Sequence, residues 1–342
     1  MDPLTHVLLG ASLSYVTFER KLGRAAAWVG GLAAFIPDAD VFIRSKTDPL
    51  LAIEYHRQFT HALAFAPAGG ALVAAIALIS VNHRKSYFTL WVCATLSYLS
   101  HCLLDAATSY GTQLFWPFSN LRVGWDFISI IDPLFTLTLA IALTWALIRR
   151  RPRIAAVGAA LGLLYMGFGV LQHTRASRAQ STLAESRRHV RERFEVMPTV
   201  GNNLVWRSLY LHAGQIYSDR IRVGWFSGAG VREGEQLPQV SVNDLTPAET
   251  ARNSNESFQR FAWFSDHWVA RNPNDPAIYG DMRYSLSAEA FDPIWGIRFT
   301  TQGAPAEIAW INRTRERKID PTELWREITG ADSRFKPLDQ VH

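Results

Sequence analysis

The sequence predicts an α-helical polytopic membrane domain of about six helices, residues 1–171, followed by an α+β soluble domain, residues 172–342. Three observations carry this. Charge is uneven: residues 1–171 hold 13 Lys/Arg and 9 Asp/Glu, and residues 172–342 hold the other 22 and 21. Apolar runs that approach the ~20 residues of a spanning helix recur through the first half only. The second half alternates aromatic and β-branched segments with turn signals. A charge-poor half followed by an ordinary one is the composition of a membrane domain joined to a soluble one.

The apolar runs fall at 25–43, 62–81, 88–105, 127–148 and 154–171, and a shorter run at 7–18 completes six if it takes in the preceding turn. Loop charges set an expected orientation. Segments 19–24, 82–87 and 149–153 carry Arg20, Lys21, Arg24, Arg84, Lys85, Arg149, Arg150, Arg151 and Arg153. The alternating segments carry Arg44, Lys46, Arg57 and Arg122. Nine bases against four place the first set in the cytoplasm and the second half on the outer face of a bacterial inner membrane. Arg175, Arg178, Arg187 and Arg188, just past the last run, weigh the other way. Residues 1–6 lack the basic start of a cleavable signal peptide, so none is expected. The net charge of +5 sits mostly in short loops, where topology accounts for it, so no nucleic-acid partner is expected.

Cys93 and Cys102 share one apolar run. Nine residues on a helix turn about 180° and rise about 13 Å, so the pair is not expected to form a disulfide. The second half opens with a charged helix over 174–194. Strands follow at 204–210 and 216–226 around a turn at 212–214. A helix is expected over 246–270, opened by Thr246, Pro247 and the first-turn acid Glu249. Further strands are expected at 278–286, 294–300 and 306–312, and a closing helix over 321–328. His173, His189, His212 and His267 show no spacing that suggests a site.

Ionisable groups near hydrocarbon are costly and mark function. The first half places most of its acids and histidines on one face: Asp2 and His6, Asp38 and Asp40, His56 and His61, His101 and Asp105, with Asp126 and Asp132 at the fifth helix. His83 falls on the opposite, basic side and reads as an ordinary loop residue. His101 and Asp105, four apart, stand one turn apart on one helix face and can touch a single ion. Asp38 and Asp40 follow Pro37, where proline disturbs a helix, and two such close acids repel unless a cation or proton holds them. His56 and His61, five apart, lie about 140° from each other on a helix, which suits a loop ligand and a first-turn ligand with Thr60 as a helix cap. His and carboxylate together suit zinc or a similar divalent ion.

The segments DPLTH at 2–6 with Gly10, IPDAD at 36–40, HRQFTH at 56–61, SHCLLD at 100–105 and TSYGT at 108–112 through Pro117 and Phe118 carry a resemblance. Together they resemble the YdjM/YbcI-type family of inner-membrane metal-dependent hydrolases, whose members are also described as LexA-binding. RFAWFS at 260–265, RYSL at 283–286 and WG at 295–296 resemble what some members carry in the second half. Ala62 stands where the family often has Ser, which removes one hydrogen bond rather than a ligand. The group is also similar to zinc-dependent phospholipase C enzymes in collecting His and Asp from helices, an analogy of ligand type.

The resemblance implies a membrane-embedded metal-dependent hydrolase. His6, Asp38, Asp40, His56, His61, His101 and Asp105 are then the candidate ligands for one or two divalent ions, zinc first. Seven exceed the four positions of a tetrahedral ion, so two ions bind or some residues support the others. Asp40 or Asp105 is the expected proton acceptor beside a metal-activated water, and Arg57 the group to hold a phosphate or carboxylate. Location at a membrane surface favours a lipid or lipid-linked phosphoester. Two other readings stay open: a membrane protein that handles metal ions or protons without catalysis, and a membrane-anchored partner-binding protein whose metal is structural.

Overall fold

A computed structural model describes residues 1–342 apart from 81–85, 248, 251, 287–289, 301–306, 319 and 341–342. Arg84, Lys85 and His83, and parts of the segments expected at 62–81, 246–270 and 306–312, lie outside the described residues. The chain divides into two units, one of residues 1–43, 55–171 and 200–202, the other of residues 44–54, 172–199 and 203–342.

The first unit is helical. α1 is Pro3–Leu22 and α2 is Ala25–Phe35, continued by a 3-10 turn Ile36–Phe42. Tyr55, the end of the short α3 (Leu51–Tyr55), leads into a second 3-10 turn, Phe59–His61. α4 (Ala66–Ser80), α5 (Tyr87–Ala106) and α6 (Pro133–Arg149) follow, and α7 (Pro152–Ser186) begins here. Among the described residues three helical stretches are long and apolar enough to cross a membrane: Ala25–Phe42, Tyr87–Ala106 and Pro152–Ser186. A fourth span arises if Leu51–His61 and Ala66–Ile79, bent by 80°, count as one broken span. The expected six are therefore not reached by this measure. α1 carries Glu19, Arg20 and Lys21 and buries Thr5, Ser12 and Ser14, and α6 has only 17 residues. Outward, the unit presents Trp28, Leu72, Ile141, Trp145, Leu161 and Leu164, an apolar surface that suits lipid.

Small residues let these helices meet. A Cβ on Gly10 would fall 2.5 Å from the Ala34 Cβ and 2.7 Å from the Gly30 carbonyl oxygen, so α1 and α2 touch through backbone. Their contact continues into a core of Phe18, Ala26, Val29 and Ala33 against Val73 of α4 and Leu90 of α5. Two of the expected site-face acids turn out to open helices. Asp2 caps α1 by accepting from the Thr5 amide at 3.0 Å, and Asp132 caps α6 by accepting from the Phe135 amide at 3.1 Å, each followed by a proline.

Among the described residues, the second unit holds the rest of α7, ten strands and α8 and α9. β1 (Arg193–Pro198), β2 (Val205–His212), β3 (Gln215–Val223), β4 (Ala229–Arg232) and β10 (Lys336–Pro337) form an antiparallel sheet in that order, with β5 (Gln236–Pro238) also on β3. β6 (Val269–Arg271), β7 (Ile278–Asp281), β8 (Trp295–Thr300) and β9 (Glu307–Asn312) form a second. Ala176, Ala179 and Leu183 of α7 pack on Val196, Trp206, Ile221 and Val231 of the first sheet. α8 is Arg252–Phe264 and α9 Pro321–Thr329, the latter between an Asp320 cap and Gly330 at φ 81°.

Several expected boundaries shift, among them the strand expected over 278–286, which ends at Asp281, and the helix expected from 246, which is described from Arg252. The charged helix stops at Ser186, because the arginine-rich stretch beyond it leads into β1. The strand expected over 216–226 ends at Val223, and Trp225 and Phe226 fall in a loop. The helix expected to 270 ends at Phe264, where Asp266 and His267 adopt positive φ and turn the chain into β6.

Candidate metal centre

Four segments of the first unit converge on one buried pocket of charge. α1 supplies His6 one turn past its cap, the 3-10 turn after α2 supplies Asp38 and Asp40, and the 3-10 turn before α4 supplies His61. The last turns of α5 supply His101 and Asp105, which do share one helix face. His6, His61, His101 and Asp105 have no exposed surface, and Asp40 has almost none.

The tautomers follow from the partners. His101 Nδ1 lies 2.7 Å from the Ala34 carbonyl oxygen, which can only accept, so Nδ1 carries the hydrogen. His61 Nδ1 lies 3.0 Å from Thr60 Oγ1 and 3.3 Å from Asp40 Oδ2. Thr60 spends its own hydrogen on Asp40 Oδ2 at 3.1 Å, so it accepts from His61. Each ring then directs a bare Nε2 at the other, 2.9 Å away. Two lone pairs at that distance repel unless a positive centre, a proton or a metal ion, lies against both.

Two carboxylates border the same point. Asp105 Oδ2 is 3.2 Å from His61 Nε2 and 3.4 Å from His101 Nε2, and Asp38 Oδ1 is 3.5 and 3.6 Å from them. One ligand atom from each of Asp38, His61, His101 and Asp105 lies within 4.8 Å of the others, a group able to hold a metal ion. Asp105 Oδ2, which borders that point, is buried without a hydrogen-bond partner, as a cation there would explain. Two imidazoles and two carboxylates fit a zinc-like ion.

The other expected residues stand behind these four. Asp40 spends both oxygens, Oδ1 on His56 Nδ1 at 2.8 Å and Oδ2 on the Arg57 amide at 2.9 Å, Thr60 and His61. Both of its oxygens are thus engaged by protein donors. His56 keeps a quarter of its side chain exposed. His6 Nε2 donates to Asp105 Oδ1 at 3.0 Å, and its ring stacks on His101 at 3.7 Å. The Met1 nitrogen also meets Asp105 Oδ1. Arg57, 4 % exposed, pairs with Asp105 Oδ1 at 3.0 Å and donates to the Asp105 carbonyl at 3.2 Å and Thr108 Oγ1 at 2.9 Å, with Tyr110 under its guanidinium. Its positive φ of 61° is held by its amide on Asp40 and its carbonyl on the Gln113 amide.

Sequence reading quoted Thr108 and Tyr110 only within the segment 108–112 and gave them no role, missed the Ala34 carbonyl, and took Thr60 for a helix cap where its hydroxyl instead links Asp40 to His61. A backbone carbonyl has no residue signature, and Thr108 and Tyr110 lie in a loop whose path no periodicity marks.

A family model described as YdjM inner membrane protein matches residues 1–176. The chain is 29 % identical over 153 residues to the uncharacterized protein YfhP of Bacillus subtilis (strain 168), covering 42 % of this chain and 46 % of that protein. It is 31 % identical over 124 residues to the inner membrane protein YbcI of Escherichia coli (strain K12), covering 35 % of this chain and 69 % of that protein. The chain thus spans less than half the length of YfhP. No solved structure matches at a significant level.

Proposed function

The chain belongs to the YdjM inner membrane protein family, and from that premise we propose that its first unit is a metal-dependent hydrolase acting on a lipid or lipid-linked phosphoester. The single observation that carries the reading is the facing pair of Nε2 atoms on His61 and His101, bordered by Asp38 and Asp105. These four would hold a divalent ion, zinc in the first instance. Bound there, the ion supplies Lewis acidity to water and to a phosphoryl oxygen.

The chain's own residues do the rest. Ala34 and Asp40 fix the rings of His101 and His61 with Nε2 inward, the outer hydrogen bonds that metal-binding histidines need. Arg57 and Thr108 hold Asp105 in place, so Arg57 serves the acid before any substrate. The proton acceptor is assigned to His56 with Asp40 behind it. Asp40 takes the Nδ1 hydrogen and leaves Nε2 for a proton, and the His6, His61 and His101 side chains lack the exposure of His56. The multi-pass arrangement with the site and the second unit on the outer face rests on the nine-to-four loop charges.

The test is a screen of phosphoesters and lipids with zinc-loaded protein in bilayers. Turnover lost in His61→Ala and in His56→Gln supports the reading; zinc bound without turnover of any phosphoester favours a structural ion and a partner-binding role.

A further inference from the structure

Within the first unit, an apolar crevice of about 470 Å³ lies between α1, α2 and α6. Ala11 of α1, Ala27 and Trp28 of α2 and Leu143, Leu147 and Ile148 of α6 line it, with Arg24 where α1 gives way to α2. Ala11 and Ala27 are small, and Tyr15, Ala146 and Ala155 pack with them into a core that closes the floor. The other side is open: Trp28 is 46 % exposed and Ile148 69 % exposed. A cleft of this size takes a small molecule, and this lining offers a water-soluble one almost nothing polar to bond.

Positive charge frames the crevice. Over residues 8–35 and 133–171 the sequence has one acid, Glu19, and seven bases: Arg20, Lys21 and Arg24 at the α1–α2 junction, and Arg149, Arg150, Arg151 and Arg153 at the α6–α7 junction. Among the described residues, Arg24 and the four arginines of the second junction make no ion pair. Arg24 spends one N–H, from Nη2 to the Leu147 carbonyl at 2.9 Å, which satisfies a carbonyl in the last turn of α6 and ties the two junctions together. The rest of its guanidinium fork stays available, in a geometry that fits two phosphate oxygens. Arg24 and Arg150 are both close enough to act on the Tyr15 hydroxyl, so they serve the same mouth. Depth follows from this unit alone. Arg24 directly precedes the candidate span Ala25–Phe42, and Trp28 falls in its first turn, the place of interfacial aromatics. The metal centre lies elsewhere, since His6 and Leu22 stand about 24 Å apart along α1 at ~1.5 Å per residue.

We propose that this crevice binds an anionic phospholipid, with one acyl chain along Ala11, Ala27 and Leu143 and the phosphate held by Arg24 and Arg150. Lipid is the occupant because the open side belongs to the apolar surface of a membrane domain, and the unpaired arginines at the mouth select a negative headgroup. No carboxylate or imidazole lines the crevice, so the lipid there is a resident and not a substrate.

The test uses the full chain in phosphatidylcholine nanodiscs doped with phosphatidylglycerol or phosphatidylcholine that carries a diazirine in its acyl chain, with crosslinked peptides mapped by mass spectrometry. Phosphatidylglycerol is expected to label Trp28 and Ile148 in excess over Leu161 and Leu164, exposed on α7, and phosphatidylcholine to label all four alike. Arg150→Asn, which suits the left-handed backbone at φ 56°, should lower phosphatidylglycerol labelling of the crevice about fivefold, the effect of one cation at the headgroup. Ala27→Phe, which fills the crevice, should abolish the excess; should that variant not fold, Arg150→Asn, at an exposed site, still decides. Equal crevice labelling by the two lipids, or a phosphatidylglycerol excess that Arg150→Asn leaves unchanged, would overturn the proposal. So would labelling of Leu161 and Leu164 without Trp28 or Ile148, the mark of a protein partner over the crevice.

Discussion

His61 and His101 face each other with Nε2 atoms 2.9 Å apart, and the partners behind both rings leave each of those nitrogens without its own hydrogen. A neutral pair in that arrangement is unfavourable, so binding of a cation should stabilise the fold. Zinc added to metal-free protein in detergent is expected to raise Tm in a concentration-dependent way, as a ligand of the native state alone must. A Tm that chelator and zinc leave unmoved would speak for a shared proton instead.

Asp38 and Asp105 border the same point but differ in what else they hold. Asp38 has a free buried oxygen and some exposure, whereas Asp105 neutralises Arg57. Asp38→Asn is therefore expected to lose metal with little loss of stability. Asp105→Asn should also leave the Arg57 charge buried and uncompensated, at a cost on the order of 3–5 kcal/mol. Thermal unfolding of both metal-free variants separates the two. Equal stability would remove Arg57 and Asp105 as a structural pair.

Asp40 touches the ion's expected position only through His61. Asp40→Asn should weaken zinc binding by roughly 10- to 100-fold without abolishing it, the usual cost of losing an outer partner of a ligand. A competition titration against a chromogenic chelator reads this. Complete loss of binding would make Asp40 a ligand after all.

Gly10 lies against Ala34, whose carbonyl holds His101. Gly10→Ala should force α1 from α2 at about 1–3 kcal/mol and lower metal affinity with it. An alanine variant with unchanged Tm and affinity would show that the interface yields freely.

Within the second unit, Arg260 pairs with Asp48 at 2.8 Å and with Glu54 at 2.6 Å. Burial alone would raise the Asp48 carboxyl, but the hydrogen bonds from Arg260 and the Leu50 amide outweigh it and hold it below the usual range. The sign follows: the stabilisation is fully present above the unfolded value of about 3.9 and is lost as pH falls through the lower native value. Arg260→Ala is expected to cost about 1 kcal/mol at neutral pH and less below pH ~4. Equal losses at both pH values would contradict the pairing.

The sequence made the site partly legible because its signals are local. The four-residue spacing of His101 and Asp105 puts both on one helix face, and Pro37 marks the turn that carries Asp38 and Asp40. What it could not separate was ligand from support. His6, Asp40 and His56 have the same residue types as the four that converge, and only packing tells that Asp40 has spent both oxygens. Asp2 and Asp132 also mimic site acids, although each precedes a proline at a helix start. In the second unit, the charged helix after the apolar stretch of α7 was legible but its end was not: it reads on to 194 and stops at Ser186, since charged helix and charged loop have similar composition.

The most direct test of the metal centre is the zinc content of purified full-length protein beside His61→Ala, His101→Ala and Asp38→Ala, each supplied with zinc and then dialysed. About one ion per wild-type chain, lost in all three variants, is the predicted result. Zinc retained at the wild-type level in the variants, or no zinc in the wild type, would contradict it.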